Sequence, residues 1–241
     1  MKKAINIKHT RDCIICGKEL IYFDDYIELE CMYCHKRYIS NVSCIDGHYV
    51  CDTCHSVDAI ELIENYCRET SKTNPIDMAI ELMKNPSIHM HGPEHHFLVP
   101  AVLITSYYNT LDKKDDKIKK LAVAKMRAKD VKGGFCGFYG DCGAAVGTGI
   151  YVSIILGASP LSKESWGLAN LMTGTSLISL ASIGGPRCCK RNSFTAIREA
   201  AKFTDEHFNV KLYDYENYSP VCSFNLKNSE CLKGECPYYN K

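Results

Sequence analysis

The sequence predicts a mainly α domain preceded by a small metal-binding module of zinc-ribbon-like or cross-brace type, divided at residues 1–55 and 56–241. Three observations carry this prediction. Cysteine pairs in C-x-x-C spacing crowd the first 55 residues of the 241. From residue 56 onward, apolar residues recur at helical spacing in runs bounded by Pro and Gly. Hydrophobic residues make up 46% of the chain, enough to build a sizeable core in the second part.

Fifteen cysteines would suggest a disulfide framework only in an oxidising compartment. The start, "MKKAINIKHTRDC", has lysines but no apolar run after them, so no secretory signal is expected. The odd cysteine count and the repeated C-x-x-C pairs favour ligands over bridges. A reduced cytoplasm is the expected setting. Two runs imitate membrane spans. "AAVGTGIYVSIILGA" (144–158) is too short, and "LANLMTGTSLISLASI" (168–183) carries Asn170 and several hydroxyls. Both read as buried helices. The net charge of +1 gives no overall pull toward nucleic acid or an anionic membrane. Residues 1–70 hold 8 Lys and Arg against 12 Asp and Glu, and residues 112–132 hold 9 against 4.

In chain order, "LIYFDDYIELE" reads as a strand between cysteine knuckles. "SVDAIELIENYCRE" reads as a helix capped by Ser56 or Asp58, with Cys67 near its apolar side. "NPIDMAIELMKN" is a second helix, with Pro75 in its first turn and Pro86 beyond its end. "HMHGPEHHFLVPAVLITSYYNTL" turns at Gly92-Pro93 into a helix kinked or restarted at Pro100. "KIKKLAVAKMRAKDV" is a basic amphipathic helix with Ile118, Leu121, Ala122 and Met126 on one face. Helices follow at about 143–157, 165–183 and 192–208. "NVKLYDY" is the one later strand, and the tail is polar, turn-rich and studded with cysteine.

The module's ligand pattern is Cys13, Cys16, Cys31, Cys34, Cys44, His48, Cys51 and Cys54. A C-x-x-C turn lets two thiolates grip one tetrahedral ion, and two turns complete a site. Eight ligands suffice for two zinc ions, paired in sequence or crossed; the spacing leaves both pairings open. "CMYCH" and "CDTCH" also match the c-type haem attachment pattern, which belongs outside the cytoplasm. Because the module is acidic, its metals read as folding a short segment rather than gripping phosphate.

Four stretches of the second domain carry chemistry. In "HMHGPEHHF", His91 and His95 fall one helical turn apart and could share an ion or bracket a substrate, with Glu94 as a base. "GGFCGFYGDCGAAVGTGI" places Cys136 and Cys142 around Asp141 at a helix start, where the dipole favours a thiolate and Asp141 is a ready cap. Gly147 and Gly149 would let this helix pack closely against the 165–183 helix. "GGPRCCKRNSF" sets Cys188 and Cys189 among Arg187, Lys190 and Arg191, with Asn192 or Ser193 as cap. These cations argue against full burial, and Arg187 is a candidate anion clamp. Finally, Cys222, Cys231 and Cys236 lack C-x-x-C spacing and suit iron–sulfur ligation better than a zinc knuckle. The turn with Cys136 and Cys142 and the turn with Cys188 and Cys189 are expected to face each other across one site.

"HGPEHHFLVPAVLITSYYN", "GGFCGFYGDCGAAVGTGIYVSIILGASPLS", "GGPRCCKRNSF" and "ECLKGECPYY" resemble a cysteine-rich prokaryotic domain family of unknown function. The resemblance spans most of residues 10–240. It implies occurrence in anaerobes and methanogens, sometimes joined to methyltransferase- or radical-type modules, and so an oxygen-sensitive setting suited to iron–sulfur chemistry. "GDCGAAVGTGI" is also similar to glycine-rich turns of iron–sulfur serine dehydratases, an analogy at the level of one turn.

The expected function is therefore that of a cytoplasmic, iron–sulfur-dependent enzyme acting on a small anionic or thiol-containing metabolite by lyase, sulfur or redox chemistry. Its expected partners are that metabolite and, through the resemblance, a methyltransferase, a radical enzyme or an electron carrier. The rival is a non-catalytic zinc adaptor or a nucleic-acid module using the basic 112–132 helix, which lacks interleaved aromatics.

Overall fold

The computed structural model describes Cys13, residues 18–32 and residues 36–240, with the backbone alone at 53–58. The chain divides into two compact units, 1–57 and 58–241.

In the first unit β1 (Leu20–Glu30) and β2 (Arg37–Cys44) pair antiparallel, from Leu20 opposite Cys44 to Glu30 opposite Arg37. The register shifts between Tyr22 and Ile27. The Cys13 N–H donates to the Lys18 carbonyl at 3.1 Å, and the Cys31 N–H to the Lys36 carbonyl at 2.9 Å. The same bond thus closes the loop at each of the first two C-x-x-C pairs. Among the described side chains of this unit, the buried ones are Cys13, Cys31, Asn41, Ser43, Cys44 and Cys51. None is a large apolar group, so among the described residues no conventional core holds this hairpin.

Helix α1 (Asp52–Glu69) begins four residues ahead of Ser56 and carries Cys67 fully buried. Asn74 caps α2 (Pro75–Lys84) by accepting from Ile76 N and Asp77 N, as its side-chain oxygen and the proline at N1 favour. Then come α3 (Glu94–Thr110), α4 (Lys114–Ala128), the short α5 (Phe135–Phe138), α6 (Gly143–Ile155), α7 (Glu164–Ile183) and α8 (Cys189–Phe208). Two 3₁₀ turns, 225–227 and 233–235, punctuate the C-terminal segment. Helices α3 and α6 form the centre: α3 packs on α2, α4, α6 and α8, and α6 on α3, α4, α7 and α8.

Several expectations change. Helix α3 runs through Pro100 without restarting. The proline lacks an N–H for its helix, and Gly147 of α6 faces its ring, where a β-carbon would come within 2.8 Å. Gly147 therefore opens α6 to α3, and Gly149 alone opens it to α7, where a methyl would overlap Thr173. The inward face of α4 is Lys117, Leu121, Ala124 and Ala128, while Ile118 and Met126 are exposed. Lys117 joins that face because its Nζ donates to the Thr70 carbonyl and Asn109 Oδ1, at 2.9 and 3.0 Å. Helix α7 is not buried: Met172, Ser176 and Leu180 turn inward, and Trp166, Leu171 and Ile178 are exposed. Residues 209–215 form no strand. Leu212 and Tyr213 are buried by side-chain packing, and no strand lies beside them among the described residues. Among the described residues no helix is long and apolar enough to cross a membrane.

Candidate metal and thiol centres

In the first unit the hairpin brings Cys13, Cys44 and His48 together, with one ligand atom from each lying within 4.8 Å of the others. Cys13 Sγ lies 3.8 Å from His48 Nδ1. The Asp46 N–H donates to Cys44 Sγ, and the Cys51 N–H to Cys31 Sγ, each at 3.3 Å. Such bonds stabilise a thiolate, and the Cys–Cys–His group could hold a metal ion. Cys16 and Cys34, and the side chain of Cys54, lie outside the described residues.

In the helical unit the His-rich turn, the glycine-rich turn and the double-cysteine turn converge. Cys142 occupies the N-cap of α6, and Cys188 the N-cap of α8, where its sulfur accepts from Arg191 N. Asp141, Asn192 and Ser193 therefore do not take the cap positions expected of them. Gly140 (φ +66°) leads into the first of these starts, and Gly184 (φ +83°) ends α7 ahead of the second. Both angles are readily adopted only by glycine.

Cys136, Cys142 and Cys189 lie within electrostatic reach of one another and of Arg187, with their three sulfurs not all within 4.8 Å of one another. Asn192 Nδ2 reaches Cys142 Sγ at 3.5 Å, and the Gly92 backbone hydrogen-bonds Cys189. The same Gly92 offers its carbonyl to His95 Nδ1 at 3.1 Å. His96 lies against Gly143, leaving no space for a β-carbon there, and its Nδ1 donates to the Val131 carbonyl at 2.8 Å. Burial pushes the Cys189 thiol up to about 12, with Arg187 pulling the other way. Burial likewise raises Cys136. At Cys189 the helix start and its cations do not lower the thiol, because desolvation outweighs them.

Glu94, His95 and Lys190 lie buried beside this group. The Glu94 carboxylate accepts from the His89 N–H at 2.8 Å and packs over Gly92, so it turns back into its own loop. Burial holds His95 down at about 3, reinforced by Lys190 and opposed by Glu94. His95 is therefore neutral at ordinary pH. With Nδ1 donating, its buried Nε2 is an acceptor with no hydrogen-bond partner among the described residues. His91 is half-buried, and no three ligand atoms of this stretch come within 4.8 Å of one another among the described residues.

The cations were expected to keep the cysteine pair from full burial; Cys188 is buried and Cys189 half-buried, while Lys190 and Arg191 are themselves buried. Lys190 Nζ donates to the Ile88 carbonyl at 3.0 Å, and Arg191 Nη2 to the Gly184 and Pro186 carbonyls at 2.8 Å each. Carbonyl partners are what make such burial tolerable. In the basic α4, Lys117, Lys120, Lys125 and Arg127 likewise reach partners within their own unit.

The two adjacent cysteines part. Cys189 joins Cys136 and Cys142, whereas Cys188 joins Cys222, Cys231 and Cys236 around a cavity. Of the site expected between the two turns, Cys188 is therefore no member. Consecutive residues at a helix start point about 100° apart, a signal present in the sequence that separates such a pair. Sequence reasoning also missed Asn192 and the Gly92 backbone as contacts to sulfur.

A family of unknown function, DUF5714, matches residues 63–239. That span holds both thiol groups and the His-rich turn and leaves out the first unit's cysteines. No curated protein and no solved structure matches the chain.

Proposed function

The chain belongs to the DUF5714 family, and we propose that it is an iron–sulfur-dependent enzyme acting on a small anionic or thiol-containing metabolite. The observation that carries this reading is that Cys136, Cys142 and Cys189 lie within electrostatic reach of one another and of the Arg187 guanidinium. Soft thiolates select zinc, Cu(I) or iron–sulfur clusters, and three thiolates on a four-iron cluster leave one iron open. Such a cluster, when bound, supplies Lewis acidity at that iron or single electrons. The chain's own residues bind and orient. Arg187 offers a planar charge suited to carboxylate or phosphate. Asn192 presents an amide donor at Cys142, and neutral His95 presents an acceptor rather than a charge. Glu94 positions the His-rich turn.

In the first unit the reading is zinc held in crossed pairs. Cys13 and Cys16 would join Cys44 and His48, and Cys31 and Cys34 would join Cys51 and Cys54. The contacts of Cys13 with Cys44 and His48, and of Cys31 with Cys51, support it. A cytoplasmic setting fits the eight free cysteines of the helical unit.

Purification and reconstitution of the full chain without oxygen tests the enzyme reading. The expected product is brown, absorbs near ~400 nm through thiolate–iron charge transfer, and changes spectrum with a small anionic or thiol metabolite. Arg187→Ala should weaken the metabolite's effect while leaving the colour. A colourless, zinc-only protein would sink the reading in favour of the adaptor.

A further inference from the structure

Cys188 is buried at the start of α8 and faces the C-terminal segment, away from the group that Cys189 joins. Cys222 lies close enough to feel Cys231 and Cys236, and Cys188 feels Cys222 and Cys236. All four line one cavity, together with Met90, Phe194, Phe224 and Leu232. We propose that Cys188, Cys222, Cys231 and Cys236 form a second and separate iron–sulfur site, ligated by four thiolates.

Three observations support it. The first is hydrogen bonding to sulfur: Cys188 accepts from Arg191 N at 3.5 Å, Cys222 from Phe224 N at 3.4 Å and Cys231 from Lys233 N at 3.3 Å. Such amide bonds favour thiolates and set a cluster's potential. The second is charge. Four thiolates on a cluster carry net negative charge, and the buried cations Arg191 and Lys190 lie against this cavity, Arg191 in its wall and Lys190 Nζ 5.3 Å from the Phe224 ring centroid.

The third is spacing. Around one tetrahedral zinc, with bonds of about 2.3 Å, sulfurs stand only about 3.8 Å apart. Among the described residues the first unit's Cys13, Cys44 and His48 alone approach that, and no three of these four sulfurs lie within 4.8 Å of one another. This spacing disfavours a single zinc ion held by all four. Four thiolates also leave no iron open to substrate, so this site differs in kind from the three-thiol group.

This inference stands independently of the proposed activity. The test reconstitutes the full chain with ferrous iron and sulfide without oxygen, then counts iron and acid-labile sulfide. The expected count in the second unit is ~8 irons, from two four-iron clusters. Cys222→Ala with Cys236→Ala should lose half of them, and Cys142→Ala with Cys189→Ala the other half. Loss in the first variant only, with the second unchanged, would sustain the four-thiolate site and remove the proposed active site. Full iron retention in the Cys222/Cys236 variant, or zinc alone at these thiols, would overturn the inference. Alkylation of the wild-type chain covers misfolded variants: Cys222, Cys231 and Cys236 should be shielded when loaded and labelled together after chelation. Equal labelling in both states would overturn it too.

Discussion

The first unit buries four cysteines with Asn41 and Ser43, whereas the helical unit buries Phe97, Leu103, Tyr151 and Met172 and keeps most of its thiols at helix starts and C-terminal turns. In the first, sulfur occupies the place of a core. In the second, a core stands on its own and positions sulfur at its edge. A chain can thus use one residue type to make a fold possible and, further along, to equip a fold already made. The family match follows the same division, covering the equipped unit and leaving out the first unit's cysteines.

Removing metal is the strongest way to break this comparison. Metal binding in such small modules is worth on the order of 10 kcal/mol of folding free energy. Chelation should therefore open β1 and β2 to hydrogen exchange while α3, α6 and α8 stay protected. Unchanged protection of the hairpin after complete removal would show that it has another source of stability.

A core substitution should do the converse. Leu103→Ala, at a fully buried position of α3, is expected to lower the helical unit's stability by about 2–5 kcal/mol. The metal content of the first unit should not change. Joint loss of both in denaturation and metal analysis would mean that the two units do not fold separately.

Acid sharpens the contrast by a smaller amount. His95 faces Glu94, Lys190 and His96 and is held at about 3, against an unfolded value of about 6.5. Between these values the unfolded chain binds a proton that the folded chain refuses. Stability is then complete above pH ~6.5 and falls with pH by up to about 1.4 kcal/mol per unit. Urea midpoints of the helical unit from pH 7.5 to 4.5 should show this slope, and His95→Gln should flatten it. An equal slope in the variant would assign the effect to other groups.

Local chemistry was legible in the sequence, and partnership was not. The C-x-x-C spacing points to the region where Cys13, Cys44 and His48 come together as a possible metal site, and Pro75 marks the start of α2 at its true position. The inward face of α4 is shifted because a lysine, given carbonyl partners, can occupy an inward position that patterning reserves for apolar residues. Residues 209–215 have strand-like composition, but a strand exists only through a neighbour, which composition does not specify. Cys188 and Cys189 look like one motif in the sequence. Their separation arises from helix geometry and from a C-terminal segment more than 30 residues away in the chain.

The half-exposed face of α7 has a spectroscopic consequence. Trp166, 53% exposed, is the chain's one tryptophan. Indole emission from this protein therefore samples the polarity around a single helix surface. Opening of the first unit leaves that light unchanged so long as the surroundings of α7 stay as they are. Anything that covers α7 shifts the emission toward the blue, so the protein carries its own optical probe of that surface.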